Sequence, residues 1–220
     1  VLVIILLAWP LLSSLLTSGG PDELADKLTN RSVQIYLPTC AIQLLILSTV
    51  LIAARREIGG IRSLGFTKLS IGKIFLGLAF FMFAGLVLSL AALFLQSLGA
   101  TDFKDPSILL PVSFGERVVW TIMSAVVAIS EETAFRGYAL TRLEHITRRK
   151  TLAAILASLG FAIGHSYQGV SGVVVIFIYG LMFAAVFYKT KSIWPGIVAH
   201  FMQDFTAMFA VDTLKRMQGG

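Results

Sequence analysis

At 220 residues, 56% hydrophobic and only 14% charged, with a mean hydropathy of +0.84, the chain falls well short of the roughly 25% charged residues of a soluble domain. The +6 net charge sits in short loops between apolar runs, which is a topology signal and argues against nucleic acid as a partner. A single cysteine, Cys40, excludes an internal disulfide and any Cys-based metal spacing.

The predicted architecture is an all-α, polytopic transmembrane bundle of about seven spans, one integral membrane domain over 1–220. The chain opens on Val1 without Met or a basic leader, which reads as a trimmed start that a further helix could precede. The first span runs from Val1 to Thr17, is interrupted by Pro10, and stops at Gly19-Gly20-Pro21. A polar, slightly acidic loop follows to Arg31, and the second span covers about Val33 to Ala54. Arg55, Arg56, Arg62 and Lys68 then mark a cytoplasmic loop. Its Ile58, Ile61, Leu64 and Phe66 suggest either a short amphipathic piece on the membrane surface or a solvated loop.

The third span is about Ile71 to Leu98. The nearly charge-balanced loop from Gly99 to Arg117 is expected outside. The fourth span, about Val118 to Leu143, ends at a second basic cluster, Arg142, Arg148, Arg149 and Lys150. The fifth and sixth spans are about Leu152 to Tyr167 and Gly172 to Tyr188. Lys189 and Lys191 return the chain to the basic side. The seventh span starts at Trp194-Pro195, where Pro suits a first helical turn, and reaches about Val211, leaving a short polar tail. Basic clusters and weakly charged loops alternate along the whole chain, and no internal repeat is visible. A multi-pass protein of a cell membrane, of the prokaryotic cytoplasmic type, is expected, with membrane lipid as its surroundings.

The fourth span carries Glu131, Glu132 and Arg136 within an apolar run. Charges at bilayer depth are costly and usually mark a cavity, a partner or a substrate path. Glu132 and Arg136 are four apart, so they share a helix face and can pair. Glu131 is turned about 100° from its neighbour and is left without that Arg. His165 lies near the end of the fifth span, four residues after Phe161. His200 and Asp204 lie four apart on the seventh. At 1.5 Å per residue, Glu131, His165 and Asp204 are each about 20 Å from the basic side and His200 about 13 Å. Polar groups from three spans thus fall in a similar layer of a hydrocarbon core about 30 Å thick. Gly160 and Gly164 form a small-xxx-small pair for close helix approach. Taken singly, these residues have ordinary readings: a structural ion pair for Glu132–Arg136, packing for the glycines and for Cys40, a solvated interface for His145.

A carboxylate with imidazoles in an apolar site suits water activation, with one group as general base and a second imidazole donating to a developing oxyanion. That set would hydrolyse an amide bond. Neither an HExxH zinc-protease motif nor a Gly-x-Ser-x-Gly elbow is present.

Glu131-Glu132-xxx-Arg136, Phe161-xxx-His165 and His200-xxx-Asp204 resemble, in order, the three motifs of the CPBP family. That family comprises type II CAAX prenyl endopeptidases and bacterial abortive-infection or bacteriocin-processing proteins. The resemblance covers about 115–210, the motif-bearing core. It implies an intramembrane glutamic-type endopeptidase acting on a membrane-associated protein or lipidated peptide, of which prenylated CAAX proteins are one class. It gives water activation to Glu131 and His165, and oxyanion stabilisation to His200 and position 204. Glu132, Arg136 and Phe161 are then site-supporting. Asp204 departs from the Asn of the prenyl endopeptidases, and an ionised Asp would repel an oxyanion. No cofactor is expected. Two alternatives stay open: a zinc-dependent protease with Glu131, His165, His200 and Asp204 as ligands, and a non-proteolytic immunity or regulatory module.

Overall fold

A computed structural model describes residues 1–8, 10–11, 28–57, 59–104 and 106–209. The first predicted span beyond Leu11, its Gly19-Gly20-Pro21 stop, Ile58, Asp105 and the tail beyond Phe209 lie outside the described residues. All regular structure among the described residues is helical. In chain order the helices are α1 (Ile4–Ala8), α2 (Ser32–Arg55), α3 (Ile71–Ser97), α4 (Phe114–Thr147), α5 (Lys150–Ile163), α6 (Gly169–Thr190) and α7 (Trp194–Ala207).

Four of these, α2, α3, α4 and the helix ending at Thr190, are long and apolar enough to cross a membrane. The fifth and seventh predicted spans are shorter than expected, at 14 residues each, or about 21 Å of rise. The fifth does not reach Tyr167. Its helix ends at Ile163 with Gly164 as the cap, and a short 3₁₀ turn, Ser166–Gln168, leads into α6. The chain is a helical membrane protein in which two shorter helices complete the bundle.

Burial separates a lipid-facing helix from a central one. On α3, Phe75, Met82, Leu86, Leu90, Leu93 and Phe94 are all exposed apolar side chains, as expected where the solvent is hydrocarbon. On α4 every residue from Ser130 to Leu140 is buried. The helix begins at a capping box, with Ser113 Oγ accepting from the Glu116 N–H and the Glu116 carboxylate accepting from the Ser113 N–H. It widens into a π-helical coil over Glu132–Leu140, a geometry frequent at functional sites. Helix α2 packs on α4, α5 on α6, and α7 on both α3 and α4.

Contacts at the two ends of the bundle follow the charge alternation. At the basic end, Arg142 bridges to Glu57 at 2.7 Å, Trp194 Nε1 donates to the Thr67 carbonyl at 2.6 Å, and Tyr188 Oη donates to the Lys150 carbonyl at 3.2 Å. At the other end, Arg31 donates to the Ile108 carbonyl, Tyr36 to the Leu109 carbonyl, and the Lys104 N–H to the Gln168 carbonyl. The segment 59–66 is neither a free surface helix nor a solvated loop. It makes a 3₁₀ turn, Gly60–Leu64, whose Leu64 is buried against Gly137 of α4. A Cβ at Gly137 would lie 2.7 Å from the Leu64 carbonyl oxygen, so only glycine permits this approach.

Candidate active site

Glu131 and Glu132 leave α4 toward different partners. Glu132 Oε1 lies 3.0 Å from Arg136 Nη1, and both side chains are almost fully buried. Arg136 Nη1 has no hydrogen-bond partner, so the pair is held by charge. The guanidinium is sandwiched between aromatic rings, 4.4 Å from the centre of Phe161 and 4.5 Å from that of Phe183. The expected i,i+4 pair is therefore present, supported by α5 through Phe161 and by α6 through Phe183.

The same Glu132 oxygen lies 3.2 Å from His200 Nδ1 on α7. A carboxylate facing Nδ1 places a hydrogen on that nitrogen and fixes the ring. His200 Nε2 then faces two further carboxylates, Glu131 Oε2 and Asp204 Oδ2, each at 3.8 Å. That spacing is too long for a direct hydrogen bond and suits bridging by one small oxygen-bearing group. Asp204 is also tied through its backbone, whose carbonyl accepts from Trp120 Nε1 of α4 at 2.8 Å.

Glu131 is not a bare acid. Its Oε1 accepts from Gln43 Nε2 of α2 at 2.7 Å. Its Oε2 is buried without a hydrogen-bond partner, as is Gln43 Oε1. Beside this pair an apolar groove of about 380 Å³ opens between α1 and α2, with Gln43, Glu131 and Thr49 as polar points in an otherwise apolar lining.

His165 occupies a different setting from the one expected. It stands just past the end of α5, in the turn capped by Gly164, and is half-buried. Its Nδ1 donates to the Phe161 carbonyl at 2.9 Å, leaving Nε2 as an acceptor. Its ring is 4.8 Å from that of Phe161, which is in turn 6.1 Å from that of His200. The structure thus joins Glu131, Glu132, Arg136, His200 and Asp204 in one run of polar contacts and brings His165 to it through Phe161. Among the described residues, no group of three or more His, Cys, Asp and Glu is arranged to hold a metal ion, so the proposed four-residue zinc set is not grouped as ligands.

Several residues of the site escaped the sequence reading. Gln43 was signalled only by being an amide within an apolar span. Gly196 of α7 lets that helix close on Glu132, since a Cβ there would lie 2.7 Å from Oε2. Phe183, Trp120 and Tyr179, whose hydroxyl is buried without a partner, carry no signal in the sequence that sets them apart from other aromatic residues of the spans. Of the two glycines expected to aid packing, a Cβ at Gly160 would lie 3.0 Å from Leu6, whereas one at Gly164 would meet only ordinary contacts from 3.4 Å outward.

No curated protein and no solved structure matches the chain. Residues 113–206 match the family model described as type II CAAX prenyl endopeptidase Rce1-like. That match spans α4 to α7 and contains all three motifs, so through this segment the chain is similar to the type II CAAX prenyl endopeptidases, in keeping with the resemblance its motifs carry.

Proposed function

We propose that the chain hydrolyses a peptide bond of a membrane-associated protein substrate, with Glu131 as the general base of a water-activating site. The observation that carries this reading is the buried, unpartnered Glu131 Oε2 facing His200 Nε2 across 3.8 Å. A water between them gives its proton to Glu131 while its oxygen attacks the scissile carbonyl carbon. The carbonyl π electrons move to oxygen, and His200 Nε2–H donates to that oxyanion. With Nδ1–H committed to Glu132, a donating Nε2 means a doubly protonated ring. The carboxylates of Glu131, Glu132 and Asp204 supply the counter-charge. As the C–N bond breaks, the proton held by Glu131 passes to the leaving nitrogen and the carboxylate is regenerated. His165 Nε2 serves as acceptor for the second hydrogen of the water. Asp204, whose Oδ2 lies 3.8 Å from the same Nε2, acts through its charge on the doubly protonated ring, at a position that holds Asn in the prenyl endopeptidases. A prenylated CAAX protein is the substrate class proposed, in line with the family matched over 113–206.

The test is cleavage of a farnesylated CAAX peptide by the purified full chain, with and without chelator. Glu131→Gln and His165→Ala are each expected to abolish turnover while the bundle still folds. Full turnover in Glu131→Gln overturns the base assignment, and loss of turnover with chelator favours the zinc-dependent alternative.

A further inference from the structure

Tyr36, Gln43 and Val50 are buried on α2 at seven-residue spacing, on the face that meets α4. The flanking positions of this seam carry an aromatic ring and an aliphatic chain. The middle one carries an amide that is only 2% exposed. A buried amide is costly unless it is hydrogen-bonded, and this one has a particular partner. An ionised carboxylate only accepts, so the amide presents its NH₂ to Glu131, at 2.7 Å from Oε1. One residue earlier on α4, Ser130 Oγ donates to the Gln43 backbone carbonyl at 2.8 Å. Consecutive residues of α4 thus grip the backbone and the side chain of the same residue on α2.

The consequence is directional. The terminal torsion of a Glu side chain is broad, with no deep staggered wells, so packing alone does not select which oxygen faces His200. With Oε1 held by the amide, Oε2 is the oxygen turned toward His200 Nε2. We propose that Gln43 is a positioning residue for hydrolysis, holding Glu131 by one oxygen so that the other meets the reacting water. This rests on the reading of Glu131 as the base. Gln43 lies outside the segment 113–206 that matches the family, so it is an element of the site that the family match does not cover.

The test compares Gln43→Met, which keeps similar volume and removes the donor, with Ser130→Ala, which removes the backbone tie and leaves the amide in place. The full chain is assayed on the farnesylated peptide, and thermal unfolding is followed in the same detergent. Gln43→Met is expected to lower kcat about 10- to 100-fold, the scale of a small misplacement of a reacting group. KM should stay within about twofold. Ser130→Ala is expected to unfold at lower temperature while keeping kcat within about twofold. Gln43→Asn, with the amide on a shorter stem, should lose kcat as well, and carries the test if Gln43→Met does not fold. Wild-type kcat in the folded Met or Asn variant overturns the positioning role. So does an equal fall in kcat for Ser130→Ala, which would mean a helix-packing effect alone. Glu131→Gln, run alongside, separates the two ideas. An active Glu131→Gln removes the base assignment itself, whereas an inactive Glu131→Gln beside a fully active Gln43→Met removes only the role of Gln43.

Discussion

Gly196→Ala probes the approach of α7 to the buried pair. The added Cβ would lie 2.7 Å from Glu132 Oε2, 3.3 Å from its Cδ and 3.3 Å from a ring carbon of Phe183. A clash with the end of a flexible side chain is usually relieved by a rotamer change. Here that end is held at Oε1 by Arg136 and His200, and Phe183 is packed against the guanidinium, so the strain passes to α7. Overpacking of this kind costs about 1–3 kcal/mol. The better helix propensity of Ala offsets at most about 1 kcal/mol in a helix interior, and less at the third residue of α7. A net loss of about 1–2 kcal/mol is expected. His200 is four residues further along the same helix, so its displacement should lower kcat about 10- to 100-fold. The assay is thermal unfolding plus peptide cleavage, with Gly72→Ala as control because a Cβ there meets nothing within 4 Å. A Gly196→Ala protein as stable and active as Gly72→Ala would refute the reasoning.

Three further outcomes are expected. Arg136→Met removes the guanidinium from the buried Glu132, leaving it only His200, and should cost up to about 3–5 kcal/mol, read as a large drop in unfolding temperature or loss of folded protein on size exclusion. Asp204→Asn removes one carboxylate from beside His200 Nε2 and installs the residue of the prenyl endopeptidases, so cleavage should persist; its abolition would show that the acid itself is required. The third concerns acid stability at the loop before α4. The Ser171 hydroxyl and N–H both donate to Asp102, the latter at 3.0 Å, and hold its carboxyl below the usual range. A lowered acid contributes stability that is complete above its unfolded value, about 3.9, and is lost as pH falls from there through the folded value. Asp102→Asn should therefore be less stable at neutral pH and show a smaller loss on acidification below pH ~4, measured as unfolding temperature against pH.

The parts of the site that sequence made legible are those fixed within one helix. Glu132 and Arg136 pair because residues four apart share a face, and that pairing survives in the wider coil of Glu132–Leu140. His200 and Asp204 share α7 for the same reason. What sequence could not show depends on which helices touch. Gln43 is 88 residues from Glu131, and an amide within an apolar run has no period that announces its partner. Gly196 matters only because an acid of α4 lies opposite it. The helical rise per residue sets the depth of His165 only if α5 continues through it, whereas the helix stops at Ile163 and the imidazole is set by a turn. The aromatic sandwich around Arg136 draws one ring from each of two other helices, so no local spacing encodes it.

The grip of α4 on α2 gives the chain an unusual dependence on its own first half. The stretch from 113 onward carries every signature acid and imidazole, yet its leading acid takes a hydrogen bond from a residue contributed seventy positions before that stretch begins. A truncated protein starting there would keep the recognisable motifs and lose the clamp on Glu131.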